Sequence, residues 1–230
     1  MTLTNAKRKK ALSLTNWLFH GISKCMYFLA FEGLDGSGKS SLMKSLEAEL
    51  TRKKISYLQT REPGGTLLGE KLRELILEKS NPAPVPRAEL LMYEASRAQH
   101  VDELIKPALH EKKWVLTDRF TASSLAFQGG ARGLGWEQVK KLNDFATGNL
   151  EPHLTVLLDL TVEESEKRRT QRQMKLGEGP DRIESEDRAF HEKVRLGFLK
   201  AAQENPSSLF TACCWVRTSG HRNFWVKRAK

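Results

Sequence analysis

The stretch FEGLDGSGKSS, residues 31–41, decides the fold class of this chain. In it, Gly33 is followed by four residues and then by Gly38-Lys39-Ser40, a spacing that wraps backbone N–H groups around a phosphate chain. A short apolar run, Tyr27–Phe31, comes before the stretch, and a helical pattern comes after it. A strand, a glycine-rich turn and a helix in this order are the context that a phosphate-binding loop needs. The sequence therefore predicts a nucleotide-binding loop.

Within this loop, Lys39 is expected to reach the β- and γ-phosphates of ATP, and Ser40 to place its hydroxyl on Mg²⁺. The N-terminus of the following helix adds free N–H groups and a favourable dipole. The chain has no Asn-Lys-x-Asp segment that would read a guanine base, which argues against a GTPase switch. Its length of 230 residues suits a small-molecule phosphotransferase. The residues expected to bind ATP are Gly33, Leu34, Asp35, Gly36, Ser37, Gly38, Lys39, Ser40 and Ser41.

Apolar runs that alternate with helical patterns indicate an α/β fold. Besides the first run, ISYLQT, WVLTDR and LTVLLDL are candidates for buried strands, and amphipathic helical patterns separate them. This alternation predicts a parallel sheet covered on both faces. We expect a P-loop NTPase fold, a three-layer α/β/α sandwich with a five-stranded parallel sheet core and a mobile lid. The fifth strand is expected near Leu209–Val216, with a closing helix after it.

The positive charge of the chain is concentrated at its two ends. The formal net charge is +10, and residues 1–25 and 205–230 each carry five basic residues and no acidic one. The residues between them carry 28 basic and 28 acidic side chains. Basic ends on a neutral body are typical of solvated tails, so no specific nucleic-acid partner is predicted.

These features divide the chain into three parts. Residues 1–25 are expected to be a disordered basic extension, residues 26–210 the P-loop domain, and residues 211–230 a divergent basic segment. We expect the functional start to lie close to Met26, with an organellar presequence as the alternative. The three cysteines form neither a zinc-site spacing nor a disulfide framework, and no apolar run approaches the ~20 residues of a membrane span. A cytoplasmic protein without a membrane span is the expectation.

Charged residues follow two of the predicted strands where a nucleotide enzyme needs them. Asp118-Arg119 ends the strand WVLTDR, and Arg61-Glu62 ends the second strand. Ligands of open α/β sheets bind at the carboxyl ends of the strands, where Asp can orient Mg²⁺ through water and Arg can bind a phosphate. A third cluster, in residues 167–184, predicts a mobile basic lid that closes over transferring phosphates. Its basic residues are Lys167, Arg168, Arg169, Arg172, Lys175 and Arg182.

The chain resembles the thymidylate kinase family from about Tyr27 to about Pro206. The motifs that carry the resemblance are FEGLDGSGKSS, TREPGGT, LLMYEASRAQ, IKPAL, TDRF, SSLAFQGGARGL and DRIE. REPGGT combined with DR-x-x-x-S and QGG-R points to the bacterial type. The resemblance implies transfer of the γ-phosphoryl group of ATP to dTMP in dTTP biosynthesis, with Mg²⁺ as cofactor. It also implies a homodimer formed through the helix around Glu89–Leu109.

The resemblance also implies site residues. The implied catalytic residues are Lys39, Asp118, Arg119 and Arg172. Ser40 and Asp118 would hold Mg²⁺, partly through water. The residues implied to bind dTMP are Asp35, Arg61, Tyr93, Arg97, Arg119, Ser123, Ser124, Phe127 and Gln128.

The implied dTMP contacts divide by chemical group. Arg61 and Arg119 would bind the phosphate. Arg97 would hydrogen-bond the thymine edge, and Tyr93, one helical turn earlier on the same face, would stack on the base.

The remaining implied contacts surround the nucleoside. Asp35 would face the deoxyribose 3′-hydroxyl or the Mg²⁺ shell. Ser123 and Ser124 would line the pocket, with Ser124 near the thymine. Phe127 and Gln128 would lie against the sugar.

Three positions depart from the family pattern. Tyr93 stands where Phe is usual, and Phe127 where Tyr is usual. Gly36-Ser37 supplies no loop arginine to the γ-phosphate, so the lid is expected to supply it, from Arg172 first and Arg169 next. In addition, the C-terminal region that holds the adenine in the family is unmatched here.

Two other functions remain open from the sequence. One is a deoxynucleoside kinase, or a kinase of another nucleoside monophosphate, with the same fold. The other is a non-enzymatic, nucleotide-dependent protein that binds nucleic acid through the basic ends, which predicts salt-sensitive DNA binding.

Overall fold

The computed structural model describes residues 27–79, 83–177, 179–204, 209–214 and 224–228. The predicted extension at residues 1–25 lies outside the described residues. So does most of the predicted divergent segment, of which only residues 211–214 and 224–228 are described.

The chain forms one twisted sheet with helices on both faces. Its order is β2-β3-β1-β4-β5-β6, in which β1 to β5 run parallel and β6 is antiparallel to β5. Such an order requires helical crossovers between the parallel strands. The strands are β1 Phe28–Glu32, β2 Tyr57–Arg61, β3 Trp114–Asp118, β4 Leu154–Asp159, β5 Leu209–Cys214 and β6 Phe224–Arg228.

Among the described residues the sheet has six strands where five were predicted, and the difference lies at one edge. β5 lies where the fifth strand was expected. The four strands β1 to β4 form the core, and β5 and β6 extend it beyond β4. β6 follows β5 where a closing helix was expected. Its segment, FWVKR, is rich in aromatic and β-branched residues that favour a strand.

Helices form the crossover connections between the parallel strands, as the alternating sequence pattern predicts. They are α1 Lys39–Arg52, α2 Leu67–Leu77, α3 Pro86–His100, α4 Lys106–His110, α5 Thr121–Ser124, α6 Trp136–Thr147, α7 Val162–Leu176 and α8 Arg188–Glu204. A π-helical segment, Val101–Ile105, joins α3 to α4, and a second, Leu125–Ala131, continues α5. Across the described ranges, no helix combines the length and the apolar character that crossing a membrane requires.

Alternate residues of β1 supply the cores on the two sides of the sheet. Leu29 and Phe31 pack in one buried cluster with the apolar stripe of α1, while Phe28 and Ala30 pack in another with the segment Val101–Ile105. Because side chains of a strand alternate between faces, four successive apolar residues in a strand require helices on both sides of the sheet. The three-layer sandwich follows from this pattern.

Candidate active site

The carboxyl ends of three strands meet at one edge of the sheet. In the register of the sheet, Asp118 of β3 lies between Arg61 of β2 and Phe31 of β1. The phosphate loop follows β1 directly. The predicted convergence of the two strand ends and the loop is therefore present, and the three segments line a cavity of about 710 Å³.

The phosphate loop depends on glycines at defined backbone angles. Gly33, Gly36 and Gly38 have φ of +127°, +76° and +105°, a region that only glycine adopts readily. A Cβ on Gly33 would lie 2.4 Å from the Leu158 carbonyl oxygen. The loop thus packs too closely on β4 for any side chain at that position.

Lys39 lies at the start of α1 and points back into the loop. Its side chain is 6% exposed, and its Nζ donates to the carbonyl oxygens of Gly33 at 3.0 Å and Leu34 at 3.2 Å. Burial and the charge of Arg119 lower the pKa of Lys39, while Asp35 opposes them. A bound polyphosphate would stabilise the ammonium form by Coulomb attraction.

Arg119 connects the end of β3 to the loop. Its Nη2 donates to Asp35 Oδ1 at 2.8 Å, and its Nη1 donates to the Gly33 carbonyl at 3.1 Å and to Ser123 Oγ at 3.2 Å. Burial opposes the charged form of Asp35, but Arg119 and Lys39 outweigh it and lower the pKa of Asp35. The carboxylate and the guanidinium both stay charged in the cavity.

Asp118 carries the clearest sign of a cation site. Its Oδ1 is buried and has no hydrogen-bond partner among the described residues. Asp118 and Ser40 line the same cavity, and carboxylate and hydroxyl oxygens suit Mg²⁺. The described part of the chain contains no group of three or more His, Cys, Asp or Glu that could hold a metal.

Arg61, a predicted site residue, lines the cavity and is held in place by Glu70 of α2. Its Nη2 lies 2.9 Å from Glu70 Oε2, and Glu70 Oε1 also accepts from the Gly65 backbone N–H at 2.9 Å. Half of the Arg61 side chain is exposed toward the cavity and solvent. Glu70 thus fixes both the arginine and the turn after β2.

Arg73 of α2, which was not among the predicted site residues, also lines the cavity. Its Nη1 donates to the Pro63 carbonyl at 3.0 Å, and burial together with the charge of Arg61 lowers its pKa. Gly69 and Ile76, four residues before and three after it, are the buried residues of α2. This spacing along the helix is the signal that would have placed Arg73 on the inward face.

All residues predicted to bind dTMP line the cavity, with one exception. Burial and the nearby Glu89 raise the pKa of the Tyr93 hydroxyl. The Phe127 ring lies 5.3 Å from the Arg119 guanidinium carbon. The predicted residues that line the cavity are Asp35, Arg61, Tyr93, Arg119, Ser123, Ser124, Phe127 and Gln128.

Arg97 is the exception. Its side chain is 1% exposed and does not line the cavity. It donates to Glu62 Oε2 at 2.8 Å and to Glu94 Oε1 and Asn143 Oδ1 at 2.7 Å. A further bond of 3.0 Å to Ser124 Oγ connects it to the cavity wall. Its contact with a base stays a prediction.

Glu32, at the end of β1, is a second residue that the sequence analysis missed. The carboxylate is fully buried and accepts from the backbone N–H groups of Phe120 at 2.9 Å and Ser123 at 3.1 Å, and from Ser123 Oγ at 2.6 Å. It thereby satisfies N–H groups at the start of α5. An acidic residue at the end of an otherwise apolar strand is the signal that was available.

The predicted lid contributes Arg172 to the cavity. Arg172 pairs with Glu184, and both side chains line the cavity wall. Arg169 does not line it; its Nη1 donates to the Glu184 carbonyl at 2.9 Å and lies 3.3 Å from His191 Nε2. Arg172 is thus the better placed of the two candidate arginines.

The parallel sheet, the phosphate loop and the cavity at the strand ends define a nucleotide-binding protein of the P-loop class. Comparisons with known proteins narrow this class. A family model described as Thymidylate kinase matches residues 31–212. The chain belongs to the thymidylate kinase family, and the resemblance read from its motifs is confirmed.

Individual relatives agree with this assignment. The chain is similar to a thymidylate kinase of Bdellovibrio bacteriovorus, with 58% identity over 191 residues that make up 83% of this chain and 86% of the relative. It is 49% identical to one of Lactobacillus acidophilus over 182 residues, 78% of this chain and 82% of that one. A crystal structure of thymidylate kinase from Ehrlichia chaffeensis aligns with a TM-score of 0.65 and 31% identity, covering 85% of this chain and 90% of that one.

Proposed function

We propose that this protein transfers the γ-phosphoryl group of ATP to dTMP and releases dTDP and ADP. The observation that carries the proposal is that a phosphate loop and three arginines line one cavity. Lys39 of the loop and the side chains of Arg61, Arg73 and Arg119 all belong to this lining. Three guanidinium groups suit an acceptor that already carries a phosphate, which favours a nucleoside monophosphate over a nucleoside.

The chemistry requires positioning more than proton transfer. The acceptor oxygen belongs to an ionised phosphate, so no strong general base is needed. Lys39 and Arg119 would share the charge that develops on the transferring group, and Arg119 would also orient the acceptor. Ser40 and Asp118 would hold Mg²⁺, which supplies further charge neutralisation on the β- and γ-phosphates when bound.

We assign the nucleoside to the wall formed by Tyr93, Ser124, Phe127 and Gln128. The Tyr93 ring would stack on the thymine, and Phe127 and Gln128 would lie against the sugar. Arg97 would act on the thymine edge, together with Ser124, to which it is hydrogen-bonded at 3.0 Å.

Residues 167–184 are proposed to form the lid. Arg172 would leave Glu184 and reach the transferring phosphoryl group, because a phosphate dianion offers it a stronger partner than one carboxylate. Closure over the cavity would also exclude water, which otherwise competes as the acceptor.

A homodimer is the proposed assembly. Leu91 of α3 and Phe145 of α6 are 57% and 86% exposed, and the two helices are tied by the Arg97–Asn143 hydrogen bond. Exposed large apolar side chains on adjoining helices are typical of an interface. Light scattering of the purified protein tests this: a dimer mass is expected, and Phe145→Glu should shift it toward the monomer. A wild-type monomer mass would refute the dimer.

The cytoplasm stays the expected compartment.

The proposed reaction is tested by ADP release from Mg-ATP with dTMP, dUMP, UMP, thymidine or no acceptor. Strong release with dTMP and little without acceptor is expected. Release with thymidine alone would replace the proposal with a nucleoside kinase. A folded, ATP-binding protein that shows no acceptor-dependent release would contradict the proposed transfer.

A further inference from the structure

Glu89 is a buried carboxylate that the reaction described above does not use. It lies in the first turn of α3, is 1% exposed and faces three partners. Gln128 Nε2 donates to Oε1 at 2.9 Å, and Arg132 donates to Oε1 at 3.2 Å and to Oε2 at 3.0 Å. The Nη2 of Arg182 lies 2.8 Å from Oε2. One carboxylate therefore accepts hydrogen bonds from an amide and a guanidinium group and forms an ion pair with a second guanidinium group.

Two of these partners belong to different parts of the site. Gln128 belongs to the acceptor wall, which is the part of the cavity lining formed by Tyr93, Ser124, Phe127 and Gln128. Arg182 lies at the end of the lid segment, and it also bonds to the end of α2, through its Nε to the Ile76 carbonyl at 2.8 Å and its backbone N–H to the Leu77 carbonyl at 3.0 Å. The acceptor wall and the base of the lid thus meet at Glu89.

The third partner completes a compact charge cluster. Arg132 also pairs with Glu186 at 2.6 Å, and its guanidinium carbon lies 4.5 Å from the centre of the Phe190 ring. Burial opposes the charged form of Glu89, but the hydrogen bonds from Arg132 and Gln128 outweigh it and lower its pKa. A neutral amide at position 89 would keep the size of the side chain but could not balance two cations.

We propose that Glu89 is a positioning residue that couples the acceptor wall to the lid, because its carboxylate holds Gln128 and Arg182 at one point. This inference rests on the acceptor and lid assignments of the proposed function. Release of Gln128 loosens the acceptor site and raises the KM for dTMP. Release of Arg182 displaces the end of the lid segment, so that Arg172 no longer reaches the transferring phosphoryl group, and kcat falls. Among the described residues, the polar partners of Glu89 are Gln128, Arg132 and Arg182, none of which belongs to the phosphate loop, so the KM for ATP is expected to stay constant.

The test uses the full chain with Glu89→Gln. The KM for dTMP is expected to rise, and kcat to fall, each by on the order of tenfold. The KM for ATP should stay within about twofold of the wild-type value. Glu186→Gln is the matched control, because it removes a carboxylate from the same cluster without touching Gln128 or Arg182, and both parameters should stay within about twofold.

Arg182→Gln separates the two effects. This variant should lower kcat and leave the KM for dTMP unchanged. In the double variant Glu89→Gln/Arg182→Gln, the fold loss of kcat should be smaller than the product of the two single-variant losses. Trypsin supplies a readout independent of turnover, because residues 167–175 are rich in Lys and Arg. A non-hydrolysable ATP analogue with dTMP should protect these bonds in the wild type and in Glu186→Gln, but not in Arg182→Gln.

Clear results would overturn the proposal. The proposal is overturned if folded Glu89→Gln has the KM for dTMP and the kcat of the wild type. It is also overturned if the kcat losses of Glu89→Gln and Arg182→Gln multiply in the double variant, because the two residues would then act independently. If Glu89→Gln does not fold, an unchanged kcat and trypsin protection in Arg182→Gln would have the same meaning. Absence of dTMP-dependent turnover in the wild type would instead overturn the proposed function together with this inference.

Discussion

Arg119 and Asp35 form an ion pair of 2.8 Å that joins the end of β3 to the phosphate loop. The same guanidinium donates to the Gly33 carbonyl at 3.1 Å, and its carbon lies 5.3 Å from the Phe127 ring centre. It therefore touches the ATP loop on one side and the acceptor wall on the other. In the proposed transfer, a cation in this position would lie close to the phosphates of both substrates.

Replacing Arg119 should affect the chemical step more than any other property. We expect Arg119→Ala to lower kcat by ~10³-fold, since arginines that stabilise a transferring phosphoryl group contribute on this scale. Steady-state ADP release at saturating ATP and dTMP measures the effect. Arg188→Ala is the matched control, because the Arg188 side chain is 60% exposed and forms a surface ion pair with Glu192 at 4.0 Å. Near-normal turnover of folded Arg119→Ala would remove this residue from the mechanism.

The phosphate side of this site could be predicted because it depends on local patterns. A Gly-x4-Gly-Lys-Ser spacing and apolar runs that end in charged residues are visible in the sequence. The parallel sheet then brings Arg61 and Asp118 into register without further information. Arg73 and Glu32 carried local signals as well, whereas the role of Glu89 depends on contacts between distant segments. Glu89 is 43 positions from Arg132, and nothing local marks the two as partners.

The position of Arg97 shows a different limit. Its spacing from Tyr93 correctly places both residues on one helix, but the spacing cannot show which acceptors surround a buried guanidinium. Glu94 belongs to α3 itself, but Glu62 follows β2 and Asn143 belongs to α6, and together they hold Arg97 behind the cavity wall. At the sheet edge, the antiparallel β6 was missed for a related reason, because strand pairing is a tertiary contact.

Arg73 should act on the acceptor phosphate. We expect Arg73→Ala to raise the KM for dTMP by roughly tenfold or more, because it removes a charge-assisted bond to the phosphate. The KM for ATP should not change. The inhibition constant of thymidine, which carries no phosphate, should stay at the wild-type value. The exposed Arg87 supplies a control substitution of the same type. Equal losses for dTMP and thymidine would show that Arg73 supports the fold of the pocket instead.

The unpaired carboxylate oxygen of Asp118 leads to a metal-specific prediction. Asp118→Asn keeps the shape of the side chain but removes its charge, so we expect the Mg²⁺ concentration for half-maximal turnover to rise by about tenfold. A titration of turnover with Mg²⁺ at fixed ATP measures the shift. Asp144→Asn removes a surface carboxylate that pairs with Lys140 at 2.9 Å and should leave the titration unchanged. Superimposable curves for Asp118→Asn and the wild type would exclude Asp118 from the Mg²⁺ site.

The two lid arginines can be distinguished because they occupy different environments. Arg172 lines the cavity and pairs with Glu184, whereas Arg169 is 8% exposed and bonded to the Glu184 carbonyl. Arg172→Ala should therefore lower kcat by ~10²-fold or more with little change in melting temperature. Arg169→Ala should lower the melting temperature and reduce kcat far less, because it leaves buried polar groups unpaired. Thermal denaturation and single-turnover kinetics on both variants, with Lys175→Ala as a charge control on the same helix, measure the contrast. A larger loss of kcat in Arg169→Ala than in Arg172→Ala would reverse the assignment and place Arg169 on the transferring phosphoryl group.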